Sequence, residues 1–196
     1  DRIDAPSLFD VVQGAPVEPF AEGSAESLIW GWKDELPLTG RAWYGKFAYR
    51  RASMLAPPLL AALYEGDGEI DDHKRLDLSP AAHRIADALA TGALSAPALR
   101  EVVGDKRDYE RGIGELHRAL LVTTAGVDVQ RAGWPAAIVD LTCRRFEVGG
   151  RLDRAYATKR FLDTVNEPTP RSLSRAFNWP LPTARSALSA YESTIS

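Results

Sequence analysis

The sequence predicts a mainly α-helical fold with small β wings, arranged as tandem helix-turn-helix modules of the winged-helix type. Apolar side chains recur at helical spacing in three successive segments between residues 79 and 120. Two β-rich runs follow at 120–129 and 134–148, on either side of a turn with glycine, arginine and alanine. From residue 151 a helical pattern begins again. Helix, short helix, longer helix and hairpin is the order of a winged helix, in which the hairpin covers the open side of a three-helix core.

The composition is that of an ordinary globular protein of 196 residues, 45% of them hydrophobic and 26% charged. A net charge of −3 argues mildly against a nucleic-acid binder, so a binding face for a polyanion has to be local. The single cysteine, Cys143, rules out an intrachain disulfide and indicates a reducing, cytoplasmic compartment; we expect a buried structural thiol. The sequence contains no signal peptide and no apolar run of membrane-spanning length, so no membrane partner is expected.

Residues 1–72 form the first of three predicted segments. Residues 1–29, rich in proline and acids, predict an irregular arm that lies on the body of the protein. Because the sequence opens on Asp1 and not on Met, one interpretation of this segment is the remainder of an upstream module. A helix is expected at 57–64. The run 66–78 is too polar and turn-rich for the core, so it predicts a linker.

The stretch from Trp30 to Arg51 combines aromatic rings with cations. Its aromatic residues are Trp30, Trp32, Trp43, Tyr44, Phe47 and Tyr49, and its cations are Lys33, Arg41, Lys46, Arg50 and Arg51. Rings between cations suit a surface that holds a phosphate backbone and stacks on bases. The alternative is that the aromatic residues are core and the cations are its rim. For the carboxylate pair Asp34 and Glu35, a cap or a salt bridge to Lys33 is favoured over catalysis.

Residues 73–150 are the predicted complete winged-helix module. Ser79 caps its first helix, and Pro80 takes the first helical position. The second helix begins at Ser95 and ends at Gly104, and the third follows after three residues. The inward positions at helical spacing are Ala82, Ile85, Ala86 and Leu89, then Ala96, Leu99, Val102 and Val103, then Tyr109, Ile113, Leu116 and Leu120.

Residues 151–196 predict a second helix-turn-helix trio in which the wing is absent. The first helix is expected at 151–167 and the last at 182–192. Between them Thr169 caps a helix that has Pro170 at its first position. The predicted inward positions are Ala155, Phe161, Leu162 and Val165, then Leu173 and Phe177, then Ala184, Ala187, Leu188 and Tyr191.

Several blocks of the sequence resemble one known family. They are WGWKDELPLTGRAWYGKF, ELHRALLVTTAG, RLDRAYATKRFLDTV and TPRSLSRAFNW. They are similar to winged-helix proteins related to crosslink-repair DNA glycosylases, the bacterial AlkZ/YcaQ-like family and especially its short relatives. The likeness runs from about Pro6. It implies tandem winged helices that bind duplex DNA in DNA repair and, in catalytic members, monofunctional excision of alkylated or crosslinked bases.

The resemblance also implies where catalysis would lie, and there the sequence departs from the family. Catalytic members use a Gln-x-Gln or Gln-x-Asp element in an N-terminal module. Here the glutamines are Gln13 and Gln130, and Ala15 and Ala132 stand two residues further on. The element is therefore upstream of Asp1 or missing from this branch, and the catalytic residues stay unknown. The function predicted is DNA binding, with an active DNA glycosylase and a protein-interaction module as alternatives.

The residues predicted to contact double-stranded DNA, damaged or undamaged, are aromatic or basic. They are Trp32, Lys33, Tyr44, Lys46, Arg50, Arg51, Lys106, Arg107, Arg111, Arg118, Arg171, Arg175 and Arg185. The third helix of the complete module is the natural groove element, although acids balance its bases and a solvated face with local ion pairs is the alternative. A further candidate phosphate track consists of Arg144, Arg145, Arg151, Arg154, Lys159 and Arg160.

No metal and no cofactor are predicted. The three histidines, His73, His83 and His117, are scattered, and the sequence has no spaced Cys/His set and no phosphate-binding glycine loop. His83 and His117 lie in predicted helices, where we expect structural histidines with satisfied hydrogen bonds.

Overall fold

The computed structural model describes residues 24–128, 135–150 and 152–195, and it is mainly helical with two small antiparallel sheets. Its helices are α1 (Ala25–Leu38), α2 (Pro57–Leu63), α3 (Pro80–Leu89), α4 (Ala96–Val103), α5 (Lys106–Arg118), α6 (Thr142–Arg145), α7 (Arg154–Leu162), α8 (Pro170–Phe177) and α9 (Leu181–Ile195). Its strands are β1 (Trp43–Lys46), β2 (Ala52–Leu55), β3 (Leu94–Ser95), β4 (Val122–Asp128) and β5 (Ala136–Leu141). Short 3₁₀ turns lie at Ala48–Arg50 and Asp72–Arg75.

The central part of the fold follows the order α3, β3, α4, α5, β4, β5, and caps set the limits of its helices. Ser79 Oγ accepts a hydrogen bond from the amide of Ala82 at 3.3 Å, and Asp105 Oδ1 accepts one from the amide of Asp108 at 2.9 Å. Gly104 ends α4 with a φ of 85°, a left-handed conformation that glycine adopts without a Cβ clash. The predicted starts of α3 and α4 and the predicted end of α4 are therefore confirmed.

Strands β3, β5 and β4 form one antiparallel sheet in that order. Leu94 of β3 pairs with Val139, and Val122 of β4 pairs with Leu141. The sequence pattern does not predict β3, because two residues are too few to show a period. The turn predicted between β4 and β5 lies outside the described residues.

The β1–β2 hairpin packs aromatic side chains against this sheet. Trp43 is fully buried, and its indole N–H donates to the carbonyl oxygen of Val122 at 3.0 Å and to Thr142 Oγ1 at 3.1 Å. Phe47 is also buried, whereas Trp30 on α1 is 57% exposed. The aromatic block therefore divides: the core interpretation is correct for Trp43 and Phe47, and Trp30 lies on the surface.

Helix α9 packs on α7 and α8, and α7 packs on α2. The Asp153 carboxylate caps α7 by accepting from the amide of Tyr156 at 2.9 Å, and Thr169 forms a capping box with Ser172 at the start of α8. One cluster of buried residues runs from the β1–β2 hairpin through to α9. In the part of the chain that the structure describes, none of the helices has the length and apolar character needed to cross a membrane.

The run predicted as a linker belongs to the folded body, which corrects that prediction. Asp72 and His73 are each only 3% exposed. The Asp72 carboxylate accepts hydrogen bonds from the Tyr64 hydroxyl at 2.8 Å and from the amides of Asp67 and Gly68 at 3.0 Å each. These bonds replace the water that the carboxylate loses on burial, so a polar, turn-rich segment can still join the core.

Other expectations are wrong in detail. Val102 and Val103 were both expected to face inward. Adjacent side chains on a helix point about 100° apart, so Val103 is buried and Val102 is 42% exposed. Ala155 is exposed and Ala157 is buried in its place. Helix α7 ends at Leu162, five residues before the expected end, and the second β-rich run becomes helical at Thr142.

Candidate nucleic-acid interface

A cavity of about 870 Å³ lies where the tip of the β1–β2 hairpin meets the C-terminal ends of α5 and α8. Arg50 belongs to the hairpin tip, Arg118 to the last turn of α5 and Arg175 to the last turn of α8. Leu63 and Trp179 contribute apolar surface to the lining. Three of the predicted DNA-contacting arginines, far apart in the sequence, therefore lie on one cavity.

Contacts with α8 hold the hairpin tip in a strained conformation. Tyr49 and Arg50 have φ angles of 53° and 59°. This left-handed region costs a residue with a Cβ on the order of 1 kcal/mol. The Tyr49 hydroxyl donates to the carbonyl oxygen of Ser172 at 3.4 Å, and Asn178 Nδ2 donates to the carbonyl oxygen of Phe47 at 3.3 Å. The position of Arg50 therefore depends on contacts between the tip and α8.

Arg50 and Arg118 bring positive charge to the cavity that the surrounding protein leaves unpaired. Neither guanidinium forms an ion pair or a hydrogen bond with the residues that the structure describes. Two carboxylates of the lining have other partners: Glu115 accepts from the amide of Ser79 at 2.8 Å, and Glu65 lies 3.6 Å from an arginine of α7. Since arginine stays charged at physiological pH, the cavity offers two cations to an anionic group.

Arg175 has a second contact, because its guanidinium carbon lies 5.6 Å from the centroid of the Tyr49 ring, a cation–π distance. It therefore supports the hairpin tip as well as lining the cavity. The other predicted arginines nearby in the sequence, Arg51, Arg171 and Arg185, are exposed and do not line the cavity.

The N-terminal half of α5 presents a mixed-charge face. Lys106 lies 3.8 Å from Glu110, and Arg111 lies 2.7 Å from Asp108. At 1.5 Å per residue, Lys106 and Arg118 are about 18 Å apart along the helix axis. The local ion pairs considered as the alternative for this face are therefore present for Lys106 and Arg111, whereas Arg107 and Arg118 form no ion pair with the described residues.

One predicted contact residue on helix α1, Lys33, and one on strand β1, Tyr44, take part in local interactions. Lys33 Nζ lies 2.7 Å from Asp34 and 4.6 Å from the centroid of the Trp30 ring, so the expected salt bridge is confirmed. Tyr44 is half-buried; burial above all, and then the charge of Asp34, raises the pKa of its hydroxyl. The remaining predicted residues outside the cavity are Trp32, Lys46 and Arg107.

Asp140, one residue before the end of β5, is only 1% exposed and pairs with both Arg144 and Arg145. Its distance to Arg145 Nε is 2.7 Å. Arg144 also donates to the carbonyl oxygens of Leu89 at 2.9 Å and Ala90 at 3.1 Å, which close the C-terminal end of α3. These two arginines, predicted as part of a phosphate track, instead have structural partners.

The rest of that track is paired at the surface wherever the structure describes it. Lys159 and Arg160 lie 2.9 and 3.3 Å from Asp163, and Arg154 lies 3.6 Å from a glutamate that follows α2. Exposed pairs of this kind contribute about 0–1 kcal/mol each, so a phosphate can displace them at small cost. Arg151 lies outside the described residues.

The ring nitrogens of His117 on α5 are buried, and neither has a hydrogen-bond partner among the described residues. Burial above all, and then the charges of Lys46 and Arg118, lowers its pKa to about 4, so the ring is neutral at pH 7. Its centroid lies 6.0 Å from that of Trp43, nearly perpendicular to it. The expectation of a histidine with satisfied hydrogen bonds is therefore wrong here.

Within the described ranges, no group of three or more His, Cys, Asp or Glu residues is arranged to hold a metal ion. His73 Nε2 lies 2.9 Å from Asp87 Oδ1, and the ring centroid of His73 lies 5.9 Å from that of His83. Cys143 is half-buried, less than expected, and burial raises the pKa of its thiol. A protonated thiol is a poor nucleophile, which agrees with the structural role expected for it.

A comparison with protein families places these residues in context. The family model described as AlkZ related matches residues 2–176 of the sequence. The chain belongs to the AlkZ-related family. This confirms the resemblance drawn from the sequence blocks, and the matched range includes Arg50, Arg118 and Arg175. No curated protein and no solved structure matches the chain.

Membership of the AlkZ-related family supports a relation to DNA-repair glycosylases and assigns no catalytic residue in this chain. Gln13 and Gln130, the glutamines weighed against the family's catalytic element, lie outside the described residues. What the described residues of this AlkZ-related protein present is a cavity lined by three arginines and three carboxylates, in which the guanidinium groups of Arg50 and Arg118 have no ion-pair partner among the described residues.

Proposed function

We propose that this AlkZ-related protein binds double-stranded DNA, damaged or undamaged, and that Arg50, Arg118 and Arg175 contact its phosphate backbone around their shared cavity. The observation that carries the proposal is their convergence: three arginines predicted from separate segments line the same cavity. For Arg50 and Arg118, no described residue provides an anionic partner. The family supports a nucleic acid as the ligand that supplies the anions.

The same proposal includes a tandem winged-helix architecture. The order α3, β3, α4, α5, β4, β5 and the strand order β3–β5–β4 support a winged-helix module at residues 73–150. Helices α7, α8 and α9 support a second helix-turn-helix trio at 151–196. Residues 1–72 would then supply the segment whose hairpin tip completes the cavity. In this arrangement α5 is the groove element, with Arg118 at its C-terminal end.

Arginine suits the proposed contact for two physical reasons. Its planar guanidinium donates parallel hydrogen bonds to two phosphate oxygens, and its charge persists at any physiological pH. Each phosphate that a cation neutralises also releases counterions, so binding weakens as the salt concentration rises. A protein with a net charge of −3 has to obtain this effect from a local cluster of cations.

The experiment is fluorescence anisotropy of a labelled duplex with the double variant Arg50→Glu/Arg118→Glu. Since a hydrogen bond to a charged group contributes about 1.5–3 kcal/mol, reversing two such contacts weakens binding by about a hundredfold or more. The matched control is Lys74→Glu/Arg84→Glu, which makes the same charge change at exposed residues outside the cavity. Equal losses in the two variants would mean that only net charge matters. Absence of duplex binding at low salt by the unaltered protein would favour the protein-interaction alternative.

Glycosylase activity is the second candidate, and the observation in its favour is the family match. Excision of a base leaves an abasic site, which heat and alkali convert into a strand break. The full chain is therefore incubated with alkylated duplex and the products are separated on a denaturing gel. Strand breaks above those of the alkylated duplex incubated without the protein would support the activity, and their absence would leave DNA binding without catalysis.

A further inference from the structure

We infer that the cavity between the hairpin tip, α5 and α8 holds one unstacked nucleotide whose base presents N–H donors, guanine above all. In this inference Asp77 recognises the base, while Arg50 and Arg118 hold the phosphate. Such a nucleotide has two possible sources, an extrahelical position in DNA and a free nucleotide. The inference rests on the proposed function only for the first source.

Asp77 lies in the lining of the same cavity as Arg50 and Arg118. Its side chain is exposed and, within the described residues, forms no ion pair and accepts no hydrogen bond. The cavity therefore holds one unpaired carboxylate together with two unpaired guanidinium groups. A surface that binds only phosphates gains nothing from a carboxylate, because like charges repel. The three groups together fit a ligand that carries an anionic group and, at a distance from it, hydrogen-bond donors.

The ends of two helices add to this division of charge. Helices α5 and α8 both end at the cavity, and their C-cap residues Ala119 and Asn178 belong to its lining. The C-terminal carbonyl groups give a helix end a partial negative charge, which attracts N–H donors. A phosphate would therefore be held by the arginine side chains, since the helix ends favour the donor-rich part of the ligand.

Size and stacking surface also fit a single nucleotide. A cavity of about 870 Å³ is within the range of about 300–1,000 Å³ that is typical of sites for small organic ligands. Tyr49 lines the cavity and is half-buried, and its contacts with Ser172 and Arg175 fix its ring in place. A ring that is already ordered can stack on a base at little cost in side-chain entropy.

The carboxylate predicts which base binds best. The two oxygens of a carboxylate accept two parallel N–H groups, and the Watson–Crick edge of guanine presents two such groups side by side. Thymine and uracil present a single N–H between two carbonyl oxygens, which the carboxylate repels. A paired base-edge contact of this kind discriminates against the wrong base by about tenfold or more.

The test compares three labelled duplexes of one sequence: fully paired, with one extrahelical guanine, and with one extrahelical thymine. Free guanosine and uridine monophosphates are titrated in parallel by calorimetry. We expect the guanine bulge to bind about tenfold more tightly than the thymine bulge. Asp77→Asn removes this preference, because asparagine keeps the size of the side chain and replaces one acceptor oxygen with a donor. Glu69→Gln, at an exposed carboxylate outside the cavity, is the matched control.

Each outcome decides the inference. A guanine preference in the bulged duplexes that Asp77→Asn abolishes supports it with DNA as the source. The same preference among free monophosphates, with no gain from the bulge, supports it with a free nucleotide as the source. No guanine preference in either series overturns it, even where the paired duplex binds. Failure of the proposed function is distinguishable, because it abolishes binding of the paired duplex.

Discussion

Two groups of arginines in this fold carry the same charge in different surroundings. Arg144 and Arg145 both pair with the buried carboxylate of Asp140, whereas Arg50 and Arg118 line a cavity and have no anionic partner among the described residues. The first group shares one carboxylate of the protein, and Arg144 also closes the end of α3. The second keeps its charge available to a ligand. A cluster of arginines in a sequence therefore does not identify a binding surface until the carboxylates around it are known.

Among the variants that test this comparison, Asp140→Ala should have the largest effect on stability. It leaves two guanidinium groups without their shared carboxylate, and loss of one partner from a buried ion pair typically costs about 3–5 kcal/mol. We expect the free energy of unfolding in urea to fall by about that amount. Asp77→Ala, which removes an exposed carboxylate, should change it by only about 0.5 kcal/mol. Similar losses for the two variants would contradict the structural role assigned to Asp140.

The buried ring nitrogens of His117, which have no hydrogen-bond partner among the described residues, sharpen the comparison through the pH dependence of stability. The folded-state pKa of His117 is about 4, below its ordinary value of 6.5, so the folded protein binds fewer protons than the unfolded chain between those pH values. Stability should therefore fall as the pH drops through this window, by about 3 kcal/mol from this group. His117→Phe removes the titrating ring, so its urea stability should depend less on pH from 7 to 4. If the free energies of unfolding of the unaltered protein and of His117→Phe change with pH in parallel, His117 does not contribute to the pH dependence.

At the hairpin tip we expect only a small change in stability. Arg50 has a φ of 59°, which glycine adopts without strain, so relief of strain in Arg50→Gly offsets the greater freedom of the unfolded chain. We expect its free energy of unfolding to stay within about 1 kcal/mol of the unaltered protein. Arg144→Ala should cost about 2 kcal/mol, because it removes charge-assisted hydrogen bonds to Asp140 and Leu89. Equal losses in the free energy of unfolding for Arg50→Gly and Arg144→Ala would contradict the difference between a paired and an unpaired arginine.

Local signals in the sequence predict the ends of helices α3 and α4 well. Ser79 and Gly104 mark helix ends through a capping hydrogen bond and a left-handed conformation, and Pro80 occupies a first helical position, so neighbouring residues are enough to recognise these ends. Strand β3 could not be predicted in this way, because its two residues become a strand only by pairing with β5. The sequence does not predict the burial of Asp72 either, because composition does not reveal the hydrogen bonds that its carboxylate accepts in the folded protein.

The candidate site was predicted residue by residue but not as an assembly. Arg50, Arg118 and Arg175 were each selected for charge, and their meeting depends on the packing of the hairpin tip against α8. The same limit applies to Asp140 and His117, since tertiary contacts decide whether a buried polar group has a partner. For these residues the sequence shows the charge and the polar groups, whereas the fold determines which partners they have.

The most direct test of the account is the salt dependence of duplex binding for the unaltered protein and for Arg50→Ala/Arg118→Ala. Each lost phosphate contact reduces the slope of log K against log salt by about 0.9, so the double variant should have a slope less steep by about 2. The control Lys74→Ala/Arg84→Ala should keep the slope of the unaltered protein. Identical slopes for the unaltered protein and the cavity variant would contradict the claim that these arginines contact the phosphate backbone.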